Sequence, residues 1–217
     1  MSVAVLIPML TRAHRVAPLL ESLRATCPAA RPLFLCSPDD VAVHAAIDAE
    51  GEERLQVLGP WPGDYARKIN AGYRHTSEDL LFLAADDLLF HDGWFEAAVA
   101  ALDEGIGVVG TNDLGSPRVI AGEHATHSLV TRDYADRFGT IDGPGAVLTE
   151  EYPHEFVDDE FVETAKHRAA WAFAFDSHVE HLHPSWGKAP LDPMYLQQRN
   201  RMNKGRRIYT RRRALWT

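Results

Sequence analysis

The sequence predicts an α/β domain built on a doubly wound, mostly parallel sheet. Short apolar runs of strand length alternate with segments of helical periodicity, which is the order that produces a parallel sheet covered on both faces. One of these runs, Leu80-Leu81-Phe82-Leu83-Ala84-Ala85, ends in the acidic pair Asp86-Asp87, and the carboxyl end of a central strand is where such sheets offer a ligand crevice. With 217 residues and 46% hydrophobic content, the chain can fill one continuous core.

Taken in order, Val3–Pro8 is a continuous apolar run suited to a buried first strand, and the segment from Pro18 to Thr26 carries Leu19, Leu20 and Leu23 at helical spacing. Pro32–Cys36 reads as the second strand, Val41–Glu50 as the second helix and Leu55–Leu58 as a short third strand. Gly63-Asp64 is a helix start for a segment running to His75, and Leu80–Ala84 is the central strand. A helix over Gly93–Asp103 and a strand over Ile106–Gly110 follow, then strands at Val119–Ala121 and Ser128–Thr131. The remainder reads as a short helix at Tyr134–Phe138, a longer one at Asp158–His167, and a late strand at Trp171–Asp176 before His178 to His183.

Charge is unevenly placed. Arg199, Arg201, Lys204, Arg206, Arg207, Arg211, Arg212 and Arg213 fall in an acid-free C-terminal stretch, and removing these eight from the net −9 leaves residues 1–198 at −17. The expected organisation is one domain over residues 1–198 with a basic tail over 199–217, the tail closing over a diphosphate, touching nucleic acid, or lying along the protein's own acidic face. No apolar run reaches membrane-spanning length and the N-terminus lacks a signal-peptide pattern, so the expected compartment is cytoplasmic. Cys27 and Cys36 have no metal-ligand spacing and read as reduced thiols.

Adjacent carboxylates at a strand end repel each other unless a hard cation or well-aimed donors sit between them. A divalent metal bridging substrate phosphates is the chemistry such a pair serves, against the alternative of a solvated turn in which Asp87 caps the following helix.

Several motifs in one order make the chain resemble the inverting GT-A glycosyltransferases of family 2, from Val3 to about His183. The opening Val5-Leu6-Ile7-Pro8-Met9-Leu10-Thr11-Arg12 is similar to that family's first strand and nucleotide-side loop. Asp64-Tyr65-Ala66-Arg67-Lys68-Ile69-Asn70-Ala71-Gly72-Tyr73 is similar to the helix under the sugar nucleotide, and Asp86-Asp87 followed by Asp92-Gly93-Trp94-Phe95 to the metal motif and the helix after it. The resemblance implies a GT-A fold and a nucleotide-sugar donor with Mn2+ or Mg2+. Asp87 would ligate the metal, joined by His183 or alternatively His181 of His181-Leu182-His183-Pro184, while Asp86 would face the ribose or share the metal. Pro8, Thr11, Arg12, Lys68 and Asn70 would line the donor site, with Arg12 and Lys68 neutralising phosphate. An inverting transfer needs a base for the acceptor hydroxyl. In Glu155-Phe156-Val157-Asp158-Asp159-Glu160-Phe161 the resemblance gives this role to Asp159 first and Asp158 second, with helix capping as the competing use of either. The segment Ser185-Trp186-Gly187-Lys188-Ala189-Pro190-Leu191-Asp192, ending near Tyr195, is suited to a loop that closes over the donor.

Two departures stand out. After the second strand the chain has Cys36-Ser37-Pro38 and only then Asp39-Asp40, so the acidic reader of the nucleobase is displaced and Asp39 is its nearest candidate; and the metal motif has Ala84-Ala85 before the pair, lacking the spaced first acid. A nucleotidyltransferase of similar fold would want a glycine-rich basic loop near residue 10, where only Thr11-Arg12 stands. A non-catalytic sugar- or nucleic-acid-binding module on the same scaffold would use the basic tail and need no base. The absence of a membrane segment points to a soluble acceptor, with a modified DNA base among the options the tail leaves open.

Overall fold

The computed structural model describes residues 1–59, 64–196 and 198–216. Gly63 of the expected helix start lies outside the described residues, as does the side chain of Arg199. Strand β1 (Val3–Pro8) is the axis of the parallel half, pairing with β2 (Arg31–Cys36) on one side and β4 (Leu80–Leu83) on the other, while β3 (Arg54–Gln56) extends the sheet beyond β2. Beyond β4 the sheet turns mixed. β7 (Ser128–Thr131) joins β4 antiparallel, β6 (Val108–Asn112) joins β7 antiparallel, β8 (Trp171–His181) runs parallel to β6, and β5 (Leu88–Phe90) closes the edge antiparallel to β8. The order is β3-β2-β1-β4-β7-β6-β8-β5.

Side chains alternate across β1 as the pleat requires. Val3, Val5 and Ile7 face a core shared with Leu19, Leu20 and Leu23 of α1 (Val16–Thr26), Val43 and Ile47 of α2 (Val41–Glu50), and Trp94 of α4 (Trp94–Ala100). Ala4 and Leu6 face the other core, with Ile69 and Tyr73 of α3 (Tyr65–His75), Tyr134 of α6 (Arg132–Arg137), and Val162 and Ala165 of α7 (Val157–His167). Trp94 is sealed, its ring 4.9 Å from those of both Phe82 and Phe90. Helix α3 starts at Asp64, whose carboxylate accepts from the Arg67 N–H. It lies close on the sheet because Gly72 has no side chain: a Cβ there would stand 2.9 Å from Leu6 Cδ2.

The structure corrects several expected elements. Val119–Ala121 is part of a short helix, α5 (Pro117–Ile120), because Pro117 occupies the first helical position, where its fixed φ and missing N–H favour a helix start. Leu88–Phe90, for which the sequence predicts no element, forms edge strand β5, and the late strand runs on to His181 to pair with it. Cys27 and Cys36 are free and buried, and burial pushes the Cys36 thiol up to about 12. Among the described residues no helix is long and apolar enough to cross a membrane.

The basic stretch is helical. After α8 (Pro193–Leu196), α9 (Gln198–Arg212) packs on α7, and Gly205 sits so close that a Cβ would run into the Glu155 carbonyl. Arg212 anchors its end. Its guanidinium donates to Glu160 at 2.7 Å, Asp142 at 2.6 Å and Glu151 at 3.1 Å, with Arg212 and Glu160 side chains 6% and 3% exposed. Glu160 also accepts from Thr149 at 2.5 Å and Tyr152 at 2.7 Å. Removing one member leaves charge buried and uncompensated. Arg212→Met is expected to cost about 3–5 kcal/mol in urea unfolding, whereas Arg211→Ala, whose side chain is 63% exposed in its pair with Glu151, should cost less than about 1 kcal/mol.

Candidate active site

The loops after β1 and β4, the start of β7, the end of β8 and the start of α7 meet around one cavity of about 380 Å3, a size suited to a small-molecule ligand. Pro8, Arg12, Lys68, Asp86, Asp87, Asp158, His181 and His183 all line it.

At one end stand Asp86 and Asp87, both buried. Arg12 bridges them, its Nη1 at 2.7 Å from Asp86 and 3.2 Å from Asp87, and its Nε donates to Asp192 at 2.8 Å. Its guanidinium lies over the Tyr195 ring at 4.5 Å, and the Tyr195 hydroxyl donates to the second oxygen of Asp87. The first oxygen of Asp87 faces His181 Nε2 at 3.3 Å, and the backbone carbonyl of Asp87 accepts from Leu182 at 2.8 Å. Burial and the charge of Asp87 hold Asp86 above the ordinary carboxylate range. Burial opposes the charge on Asp87 too, but His181, Tyr195 and Arg12 outweigh it and its pKa falls. His181 is correspondingly raised, since Asp87 outweighs its burial, while burial and the neighbouring charge of His181 push His183 down to about 4 and His127 to about 3. Of the two expected histidines, His181 is therefore the one against Asp87; His183 also lines the cavity, its Nδ1 accepting from the Ser185 N–H at 3.1 Å.

A second acidic centre belongs to α7. Phe156, the residue before the helix, has φ 71°, a left-handed conformation costly for a bulky residue, and it delivers Asp158 and Asp159 in the first turn. Asp158 lines the cavity and pairs with the buried His124 at 3.3 Å. Asp159 points to Arg118 at 2.8 Å and is not among the lining residues. Burial disfavours the charge on Asp158, yet His124 outweighs it and lowers the pKa; burial and the charge of Asp158 raise that of Asp159.

The other expected site residues divide. Lys68 is sealed, donating to the Met9 carbonyl at 2.6 Å and the Ser37 hydroxyl at 3.1 Å, so it ties the ends of β1 and β2 together beside the cavity, and burial lowers its pKa. Asn70 is turned away from the cavity: its amide oxygen accepts from the Val147 and Leu148 N–H groups at 2.9 and 3.0 Å and its nitrogen donates to the Leu148 carbonyl at 2.8 Å. Asp39 and Thr11 are exposed; the Thr11 N–H donates to Asp40 at 2.6 Å. Arg201, one of the basic residues of the C-terminal stretch, lines the cavity, and so do Arg118, His124, His127 and His154, which were not singled out from sequence; the trace of them there is the pair of histidines three apart before the Ser128 strand.

Neither a protein-family model nor a curated protein sequence matches the chain. Solved structures do. A mannosyltransferase from Pyrobaculum calidifontis in complex with GDP-Man and Mn2+ superposes with a TM-score of 0.66 at 17% identity, over 92% of this chain and 60% of its own length. Glucosyl-3-phosphoglycerate synthase from Mycobacterium tuberculosis in complex with Mn2+, UDP and phosphoglyceric acid superposes with a TM-score of 0.64 at 15% identity, over 97% of this chain and 78% of its own. The chain has the GT-A fold. In this fold Asn70 serves the scaffold, holding the 147–148 backbone. Asn70→Ala is expected to lower stability by about 1–3 kcal/mol, since it leaves buried backbone groups unpaired; chemical denaturation measures the loss.

Proposed function

We propose that the chain is an inverting glycosyltransferase, moving a sugar from a nucleoside-diphosphate sugar to an acceptor hydroxyl with Mn2+ or Mg2+ at the acidic pair. The observation that supports it is two separate carboxylate centres lining one cavity, Asp86-Asp87 with His181 on the ends of β4 and β8, and Asp158 with His124 at the start of α7. A sugar nucleotide needs both: cationic compensation for the departing diphosphate, and a base for the incoming hydroxyl.

The residues at the first centre fit a divalent cation. Two carboxylates and the imidazoles of His181 and His183 offer oxygen and nitrogen donors of the kind Mn2+ accepts, with His181 Nε2 3.3 Å from Asp87, whereas among the described residues the three ligand atoms already within 4.8 Å of one another are those of His124, Asp158 and Asp159 at the second centre. Mn2+ is the ion carried by the mannosyltransferase and the synthase of the same fold. When bound, it would neutralise charge gathering on the diphosphate as the glycosidic bond breaks. Asp87 and His181 would hold it, with Asp86 and His183 beside them. Arg12, a permanent cation on the loop after β1, adds a second positive group for the phosphates.

Asp158 is the base in this reading, ahead of Asp159, because it lines the cavity while Asp159 is held by Arg118. His124 keeps Asp158 ionised and aimed. Arg118, His154 and Arg201, the last supplied by α9, line the same cavity and are candidates to contact the acceptor.

Titration calorimetry of GDP-mannose and UDP-glucose with Mn2+ and with chelator tests the reading, and a donor at a hundredfold excess over its Kd should add about 2.7 kcal/mol of stability. Asp87→Ala is expected to abolish the metal-dependent part of donor binding while the protein stays folded; equal affinity with and without metal in the parent protein would remove the metal role. Asp158→Asn should leave donor affinity nearly unchanged and lower kcat by about 10²-fold or more, with a smaller loss for Asp159→Asn. A base stops working as pH falls through its pKa. Because that of Asp158 is lowered, the acid limb of kcat should lie below about pH 4, the ordinary aspartate value, and His124→Gln should move the limb upward, since burial then acts on Asp158 unopposed.

A further inference from the structure

We propose that His127 is a sugar-binding residue of the donor site, its Nε2 donating a hydrogen bond to a hydroxyl of the sugar being transferred. The inference rests on the glycosyltransferase reading and assigns a role to a residue that reading does not use.

His127 immediately precedes β7, where its carbonyl accepts from the Thr111 N–H at 3.2 Å and the Thr111 hydroxyl at 3.1 Å, which fixes the backbone. The side chain lines the cavity although it is 97% buried. Its ring stands edge-on to that of His181, with centroids 5.1 Å apart and planes at 88°. His127 thus adjoins the acidic pair through His181 and lines the same cavity as Asp158. An inverting displacement proceeds in line: the acceptor oxygen attacks C1 from the base side as the bond to the diphosphate oxygen breaks on the metal side, and the acceptor proton passes to Asp158. The sugar ring therefore occupies the stretch of cavity between the two centres, against this imidazole.

The hydrogen bonding of the ring points the same way. Nδ1 is sealed from solvent and pairs with nothing, whereas Nε2, also without a protein partner among the described residues, keeps access to the cavity. Orphaned buried N–H groups are rarer than orphaned acceptors, so the proton belongs on Nε2, where a ligand can satisfy it. An N–H donor facing the cavity suits a sugar hydroxyl. Of the other imidazoles of the cavity, His124 pairs with Asp158, His181 with Asp87 and His183 with the Ser185 N–H, while His154 packs edge-on to Tyr65 with ring centroids 5.5 Å apart.

The test compares the full-length protein with His127→Phe, which keeps bulk and loses the donor, and His127→Asn, which is smaller and keeps one. Calorimetry with Mn2+ measures UDP, GDP, UDP-glucose and GDP-mannose. For whichever nucleotide sugar the parent protein binds, His127→Phe is expected to weaken affinity about fivefold to tenfold, the worth of one hydrogen bond. The Kd of the matching diphosphate and its dependence on Mn2+ should not change, and His127→Asn should recover part of the loss. Equal weakening of diphosphate and nucleotide sugar, or no weakening of either, would overturn the assignment. Should the parent protein bind no nucleotide with Mn2+, the glycosyltransferase reading itself falls and takes the sugar contact with it, an outcome recognisable because the diphosphates fail as well.

Discussion

Two carboxylates adjoining in sequence and both sealed from water set the terms for the rest of this molecule. Like charges about 4 Å apart repel by about 4 kcal/mol at the effective dielectric of a protein near its surface, before any cost of burial. Asp86 and Asp87 persist because groups from remote parts of the chain converge on them: Arg12 from the loop after β1, His181 from the end of β8, and Tyr195 from α8. Each contributor is fixed by a different sheet pairing or helix, so the compensation is complete only when the whole sheet has formed. The parallel register of β1 on β4 and the antiparallel register of β5 on β8 are in this sense parts of the site.

A second constraint comes from the C-terminal helix. Arg212 enters the otherwise negative cluster of Glu160, Asp142 and Glu151, and Glu160 directly follows Asp158 and Asp159 on α7. The same helix presses Gly205 against Glu155, next to the left-handed Phe156. The backbone strain of Phe156 is thus held by packing from a segment that in sequence looks like a loose basic tail. Arg201, four residues before Gly205, reaches the cavity wall.

Much of this fold was legible in the sequence because β1, β2 and β4 are buried on both faces and read as unbroken apolar runs, and α1 and α3 carry clear helical periodicity. Strand β5 was hidden since three residues give no period, and its partner β8 exposes Phe175 and Asp176 midway, which breaks alternation. The acidic pair was legible as chemistry at a strand end. Which histidine meets Asp87 was not, because the choice between His181 and His183 depends on where β8 stops. Which of Asp158 and Asp159 lines the cavity was likewise invisible, as it depends on a left-handed turn at Phe156 that no glycine announces. Asn70 shows the converse limit: a polar residue in a familiar motif is spent on two backbone N–H groups 77 and 78 residues away.

The two acidic centres share one electrostatic plan. In each, two consecutive aspartates meet one imidazole and one guanidinium. Asp87 faces His181 and Asp158 faces His124, and these two carboxylates are held below the ordinary range; Asp86 and Asp159, each bonded to an arginine, are pushed above it by burial and by the charged neighbour. Environments that drive like groups apart in pKa divide labour between them. In the proposed glycosyltransferase reading, the lowered member would keep its charge at the cavity, available to a cation at one end and a proton at the other, while its neighbour absorbs the cost of two acids in one place. The plan also explains why imidazoles dominate the site. A histidine opposite a carboxylate can carry positive charge beside it and can also give up its proton to act as a neutral partner, which an arginine cannot do.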